Sequence, residues 1–273
     1  MTMTTGNLAR HRRAARLASL ASAALLGLAA GIAVAAPAPV VPAASISAAV
    51  ADPGRPEADK ARDANRKPAE TVAFAGVKPG DLVGELFPGG GYFTRILSKV
   101  AGPSGAIYAY APPNPPDAPP GARDFAAAAQ SIAADPAYAN VHVVQTAPTN
   151  IAFPVPLDVV WTSQNYHDFH NVPGVDVGTF DRQIFAALKP GGIFFVLDHA
   201  AEPGSADRDT KTLHRIDPDA VKREVLAAGF VFVGASDLLH RSDDPHTASV
   251  FDPLIRGKTD QFILKFRKPP TSK

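Results

Sequence analysis

Two apolar periods alternate along this chain. Leu82 and Val83 open a short apolar run, and after a glycine-rich break Phe93, Ile96, Leu97 and Val100 fall at i, i+3, i+4 and i+7. The run suits a strand, and the spaced set marks one face of a helix. The same switch recurs downstream. Residues 105–110 and 141–144 read as a second and a third strand, separated by an alanine-rich helix at 125–134. Residues 157–162 form a fourth strand, apolar enough to be covered on both faces of a parallel sheet. Val177, Phe180, Ile184 and Leu188 mark a helix, and residues 193–199 a fifth strand. Asp217-Pro218 supplies an N-cap and a first-turn proline for a helix that stops at Gly229. Residues 230–235 and 259–267 are the last strands, with Phe262, Leu264 and Phe266 on one face of the final one. Strands and helices in this alternation predict an α/β domain.

The break between the first strand and helix carries the chemistry. Glu85 is followed by Pro88, Gly89, Gly90 and Gly91. Glycines let a ligand approach the backbone where a Cβ would block it, and the helix start behind them offers free N–H groups. A turn of this kind also opens NAD-binding domains. The fourth strand runs into Ser163-Gln164-Asn165-Tyr166-His167-Asp168-Phe169-His170-Asn171. Open α/β sheets bind ligands at the carboxyl ends of their strands, so this polar and aromatic loop is the place for substrate chemistry. His167 is the candidate general base, with Asp168 or another carboxylate orienting it, and Asn165 and Tyr166 are candidates to hold polar atoms of a ligand or cofactor. Asp198 and His199 end the fifth strand on the same side.

Glu85, Gly89 and Gly91 resemble the acidic-x-Gly-x-Gly-x-Gly motif of the class I S-adenosylmethionine-dependent methyltransferases, with Phe87 in place of the first glycine. Leu188-Lys189-Pro190-Gly191-Gly192 resembles the turn into the fifth strand of the same family. The resemblance covers residues 55–268. It implies a Rossmann-like seven-stranded methyltransferase sheet, mostly parallel with a C-terminal antiparallel strand and helices on both faces. It also implies S-adenosyl-L-methionine as cofactor, held by Glu85, Pro88, Gly89, Gly90, Gly91 and Asn165. The segment before the first strand would cover the pocket. The family places an acid for the ribose hydroxyls at the end of the second strand. Here that position lies near Ala111, and Asn114 is the nearest polar substitute. The function implied is methyl transfer to a small-molecule acceptor; the alternative is a non-catalytic exported binding module on the same fold. An NAD-dependent oxidoreductase is disfavoured by the Lys-Pro-Gly-Gly turn and the missing acid.

The N-terminus supplies an address. Arg10, Arg12, Arg13 and Arg16 precede an uncharged run rich in alanine and leucine, and Ala33-Val34-Ala35 fits an A-x-A cleavage site. Residues 1–36 read as a signal peptide or signal anchor, residues 37–54 as an alanine- and proline-rich tether, and residues 55–268 as the domain. The expected location is periplasmic or secreted, with an outward-facing membrane-anchored form as the alternative. The membrane would be met only through an uncleaved N-terminal segment. Without the four leader arginines, 23 basic residues face 26 acidic ones, so the formal charge is about −3. That balance argues against a nucleic-acid surface. Hydrophobic residues at 46% against 19% charged exclude a disordered chain. The absence of cysteine excludes disulfides and thiolate chemistry. No histidine spacing matches a metal motif such as H-E-x-x-H and no metal is expected, with the divalent-ion-dependent O-methyltransferases as the alternative. Residues 200–215 read as a polar, mobile-looking segment, either a substrate lid or a solvated loop, and residues 236–258 as a long excursion between the last two strands.

Overall fold

The computed structural model describes residues 43–114, 118–119, 121–122 and 124–270. The expected leader at 1–36, the first part of the expected tether and Asp117 lie outside them. The order of elements is α1 (Ala44–Val50), α2 (Glu57–Lys60), α3 (Asp63–Arg66), α4 (Pro68–Ala75), β1 (Leu82–Leu86), α5 (Tyr92–Ala101), β2 (Ala106–Tyr110), α6 (Ala127–Ala133), β3 (Val141–Val144), β4 (Leu157–Ser163), α7 (Tyr166–Phe169), α8 (Val177–Ala187), β5 (Leu188–His199), α9 (Pro218–Ala227), β6 (Val231–Ser236) and β7 (Gln261–Arg267). The strands form one seven-stranded sheet in the order β3-β2-β1-β4-β5-β7-β6. Strands β1 to β5 pair in parallel, and β7 runs antiparallel to both β5 and β6. This is the α/β sheet that the apolar pattern and the resemblance predict.

Both faces of the sheet are covered, which explains the near-continuous apolar runs in β4 and β5. Neighbouring residues point to opposite cores. Val159, Trp161, Phe195, Leu197 and Ile263 pack with α1, α4 and α5, while Val160, Phe194, Val196, Leu264 and Phe266 pack with α7, α8 and α9. Trp161 stacks on Phe195 with ring centroids 4.0 Å apart and meets Phe93 at 4.8 Å. Asp217 caps α9 as the sequence indicates, accepting a hydrogen bond from the Asp219 N–H at 2.9 Å, and the structure adds a cap on α8, where Asp176 accepts one from the Thr179 N–H at 2.7 Å.

Three local features depart from the sequence expectations. Within the presumed tether, residues 44–50 form α1, whose Ile46 and Ala49 are buried in the core against α4 and α5. Short apolar spacing among alanines carries little periodic signal, so only the packing reveals the helix. Residues 189–192 do not precede β5 but sit inside it. Leu188 pairs with Leu157, the register then shifts, and Ile193 pairs with Val159. A Cβ on Gly192 would lie 2.9 Å from the Lys189 carbonyl, so glycine permits the close approach. Residues 200–215 are not a free lid. Arg215 is wholly buried, donates to the Ala200 and Ala248 carbonyls, and pairs with Asp244 at 2.8 Å. It ties the segment after β5 to the excursion between β6 and β7.

Candidate active site

The strand order reverses between β1 and β4, and the crevice outside the carboxyl ends of these strands is the expected ligand position. A cavity of about 1030 Å³ opens there. Its floor is the end of β1 at Glu85 and Leu86 and the turn that follows, Phe87, Pro88, Gly89 and Gly90. Its walls are the end of β2 at Pro112 to Asn114, the start of α7 at Asn165 and Asp168, and the guanidinium-bearing face of α3. The segment before β1 therefore does cover the pocket, through Arg62 and Arg66.

The glycine turn divides into two functions. Gly89, at φ +58°, and Gly90 face open space, and a Cβ on either would meet no atom within 4 Å. They leave room for a ligand at the backbone. Gly91 is buried at φ +80°, and a Cβ there would come within 2.1 Å of Ile132. It is required by the packing of α6, and only Gly89 and Gly90 line the cavity. Phe87 holds the place of the motif's first glycine and still adopts the left-handed backbone, at φ +48°, a conformation uncommon outside glycine. Its ring meets Phe169 at 5.2 Å and Tyr110 at 5.8 Å, forming an aromatic wall.

Glu85 ends β1 in a buried position and accepts a 2.6 Å hydrogen bond from the Thr94 hydroxyl. Burial raises its pKa to about 7, against the opposing effect of Thr94 and Arg95. Above it lies a cation that sequence reasoning missed. Three guanidiniums pack on the Tyr92 ring: Arg55, Arg62 and Arg66, at 5.3, 4.8 and 4.7 Å from its centroid. Arg55 pairs with Asp63 and Arg62 with Asp59. Arg66 hydrogen-bonds the Gln164 side-chain carbonyl, and no carboxylate among the described residues pairs with it. Its burial lowers its pKa to about 10. Nothing in the local pattern distinguishes Arg66 from its neighbours; only their pairing does.

Asn165 lines the cavity, but its amide is committed. It donates to the Leu86, Phe87 and Ser163 carbonyls at 3.0, 3.2 and 3.1 Å, and its oxygen meets the Thr162 hydroxyl. It ties the end of β4 to the turn after β1, which positions that turn. His167 is buried, and Asp168 rather than His167 lines the cavity. Asp198 accepts from the His167 backbone N–H and faces its ring Nδ1, both at 2.8 Å. The ring Nε2 lies 3.2 Å from Asp168 Oδ1 and 3.2 Å from His214 Nδ1. Burial opposes charge on this ring, but Asp198 and Asp168 outweigh it and raise the pKa to about 10. With both ring nitrogens engaged, the geometry makes His167 an anchor in a polar network and leaves Asp168 as the member exposed to the cavity. Tyr166 is buried, its hydroxyl between Asp181 at 2.9 Å and Glu224 at 3.0 Å. His199 is also buried, its ring Nδ1 2.8 Å from the Thr259 hydroxyl, and burial lowers its pKa to about 3. At the end of β2, Ala111 is buried, and Asn114 lines the cavity where the motif family places an acid.

No protein-family model and no curated protein matches the sequence. Solved structures do match. A SAM-dependent methyltransferase from Aquifex aeolicus superposes with a TM-score of 0.52 at 16% identity, over 78% of this chain and 98% of that one. An arsenic(III) S-adenosylmethionine methyltransferase from Chlamydomonas reinhardtii matches with a TM-score of 0.52 at 16% identity, over 84% of this chain and 74% of that one. The [4+2]-cyclase SpnF matches with a TM-score of 0.52 at 18% identity, over 78% and 81%. At such identities the likeness speaks of architecture alone. Strand order, antiparallel β7 and these neighbours together show that the chain has the fold of the class I S-adenosylmethionine-dependent methyltransferases.

Proposed function

We propose that this protein binds S-adenosyl-L-methionine in the cavity at the ends of β1 and β4 and transfers its methyl group to a small-molecule acceptor. The observation that carries the reading is the charge arrangement: a buried carboxylate, Glu85, and a guanidinium without a carboxylate partner, Arg66, line one cavity beside open-faced Gly89 and Gly90. That arrangement suits the ammonium and carboxylate of an amino-acid moiety. Arg66 would hold the carboxylate through a charge-assisted hydrogen bond, and Glu85 the ammonium. Gly89 and Gly90 would admit the chain between them. The cofactor supplies an activated methyl group, so the protein has mainly to align the acceptor. Asp168, half-exposed at the cavity edge, is placed to orient a polar acceptor group or accept its proton. The neighbours named for S-adenosylmethionine chemistry support this reading. The leader at residues 1–36 extends it to an exported enzyme, periplasmic or secreted, or outward-facing if the leader is an anchor.

A second reading, a binding module without methyl transfer, is favoured by Ala111, which leaves the end of β2 without its acid. The fold alone does not choose, since the SpnF cyclase shares it.

Titration of the full chain with S-adenosylmethionine, S-adenosylhomocysteine and NAD tests the proposal. A cut at Ala51 would remove α1 from the core, so the intact chain is the one to use. Saturable binding of the first two but not NAD is expected, weakened tenfold or more by Arg66→Ala, or about 1.4 kcal/mol or more. A folded protein that binds neither overturns the reading. Binding without turnover across a panel of acceptors favours the module.

A further inference from the structure

Beside the cavity, three side chains from two separate segments converge on one point. His167 and Asp168 come from the single turn of α7 at the end of β4. His214 comes from the segment after β5, next to the anchored Arg215. His167 Nε2 lies 3.2 Å from His214 Nδ1 and 3.2 Å from Asp168 Oδ1, and His214 Nδ1 lies 3.4 Å from the same oxygen. Tetrahedral bonds of about 2.0–2.1 Å to a zinc-like cation place neighbouring ligand atoms about 3.3–3.4 Å apart. The observed separations of 3.2, 3.2 and 3.4 Å lie close to that spacing.

The surroundings fit as well. Metal-bound imidazoles usually give their other ring nitrogen to a carboxylate, which fixes the tautomer and the ring plane. His167 Nδ1 faces Asp198 Oδ1 at 2.8 Å, and Asp198 is wholly buried. His214 holds a left-handed backbone at φ +54°, and its ring packs against Phe251 at 4.7 Å. Asp168 and His214 keep side-chain exposures of 43% and 31% while His167 is enclosed. The cluster is therefore closed on the sheet side and open on the other, where a fourth ligand could bind. Two imidazoles and one carboxylate select a first-row transition cation over magnesium or calcium, which prefer all-oxygen sites.

We infer that His167, Asp168 and His214 form a binding site for one divalent transition-metal ion, of the zinc or iron(II) class, at the edge of the cavity. Three protein ligands leave a coordination position for water or an oxygen-bearing ligand. Imidazoles bind metal in their neutral form, so affinity should fall as pH falls. The inference does not rest on methyl transfer, because metal binding by the chain alone tests it.

The test is a zinc titration of the chelator-stripped full chain against a competing chelator, followed by cobalt(II) substitution and visible absorption. One equivalent should bind. His214→Ala and Asp168→Asn should each weaken binding at least tenfold and abolish the cobalt(II) spectrum of a low-coordinate site. Neither replaced group is in the core, and circular dichroism would verify the fold. The control is the His240→Ala/His246→Ala double variant. Those histidines flank Asp260 at 3.0 and 2.9 Å and are the competing cluster. Binding that survives His214→Ala unchanged, binding lost only in the control, or no stoichiometric binding at all would each overturn the assignment and leave a proton-bridged histidine pair.

Discussion

Arg66, on α3 beside the cavity, is part-buried and Arg215, after β5, is wholly buried, and their surroundings differ in completeness. Arg215 has a carboxylate partner in Asp244 and two backbone carbonyls, and its side chain is fully buried. Arg66 has two aromatic faces and one amide, beside a cavity. A buried cation with every donor satisfied is a tie between segments. A cation left short of an anion keeps its attraction for a ligand. The same distinction separates Asn165, whose amide is spent on three carbonyls, from Gly89, whose surroundings are open.

The largest effect should come from the complete shell. Arg215→Ala leaves Asp244 buried and unpaired, and should lower stability by about 3–5 kcal/mol, read from the urea midpoint. Arg66→Ala should reverse the pattern, with a stability change within about 1 kcal/mol and the loss falling on cofactor affinity. Equal stability losses at the two arginines would erase the difference between them.

The next effect is a pH dependence at Glu85. Burial raises its folded pKa to about 7, while the unfolded chain titrates near 4.3. The unfolded state thus loses its proton first. The stability of the ligand-free protein due to this group is full below about pH 4 and declines as pH rises towards 7. An ammonium ligand needs the ionised form. S-adenosylmethionine affinity should therefore rise about tenfold between pH 6 and 8, following the ionised fraction. Calorimetry across that range would show it, and Glu85→Gln should flatten the profile. A flat wild-type profile would remove Glu85 from ligand binding.

The smallest effect separates two glycines of one turn. Gly91→Ala meets Ile132 and a left-handed backbone, and should cost about 1–3 kcal/mol in the ligand-free protein. Gly89→Ala has space for its methyl group and should cost about 1 kcal/mol or less, with its main effect on ligand affinity. Thermal melts with and without S-adenosylhomocysteine would compare them, and matching shifts with ligand would merge the two roles.

Much of the site was legible because its signals are local. The turn after β1 announces itself by three glycines after an acid, and the loop after β4 by its polar and aromatic density. Residue types did not disclose which polar atoms were already occupied. Asn165 and His167 are both types that hold a ligand in a cavity, yet the Asn165 amide braces the turn, and His167 sits behind the cavity wall with Asp198 and Asp168 at its ring nitrogens. Arg66 lies in a stretch of alternating charges, where pairing alone distinguishes it from Arg55 and Arg62.

By itself, the sequence determined the order and type of the main elements, the parallel character of the central strands and the end of the sheet that carries the cavity. These follow from apolar periodicity, from glycine and proline punctuation, and from burial on two faces, all expressed within a few residues. Only the tertiary structure decided that residues 44–50 join the core and that Arg66 lacks an acid. It also brought His214 within 3.2 Å of His167, a residue 47 positions away. Such meetings depend on how separate segments pack across the end of the sheet, and no local period records them.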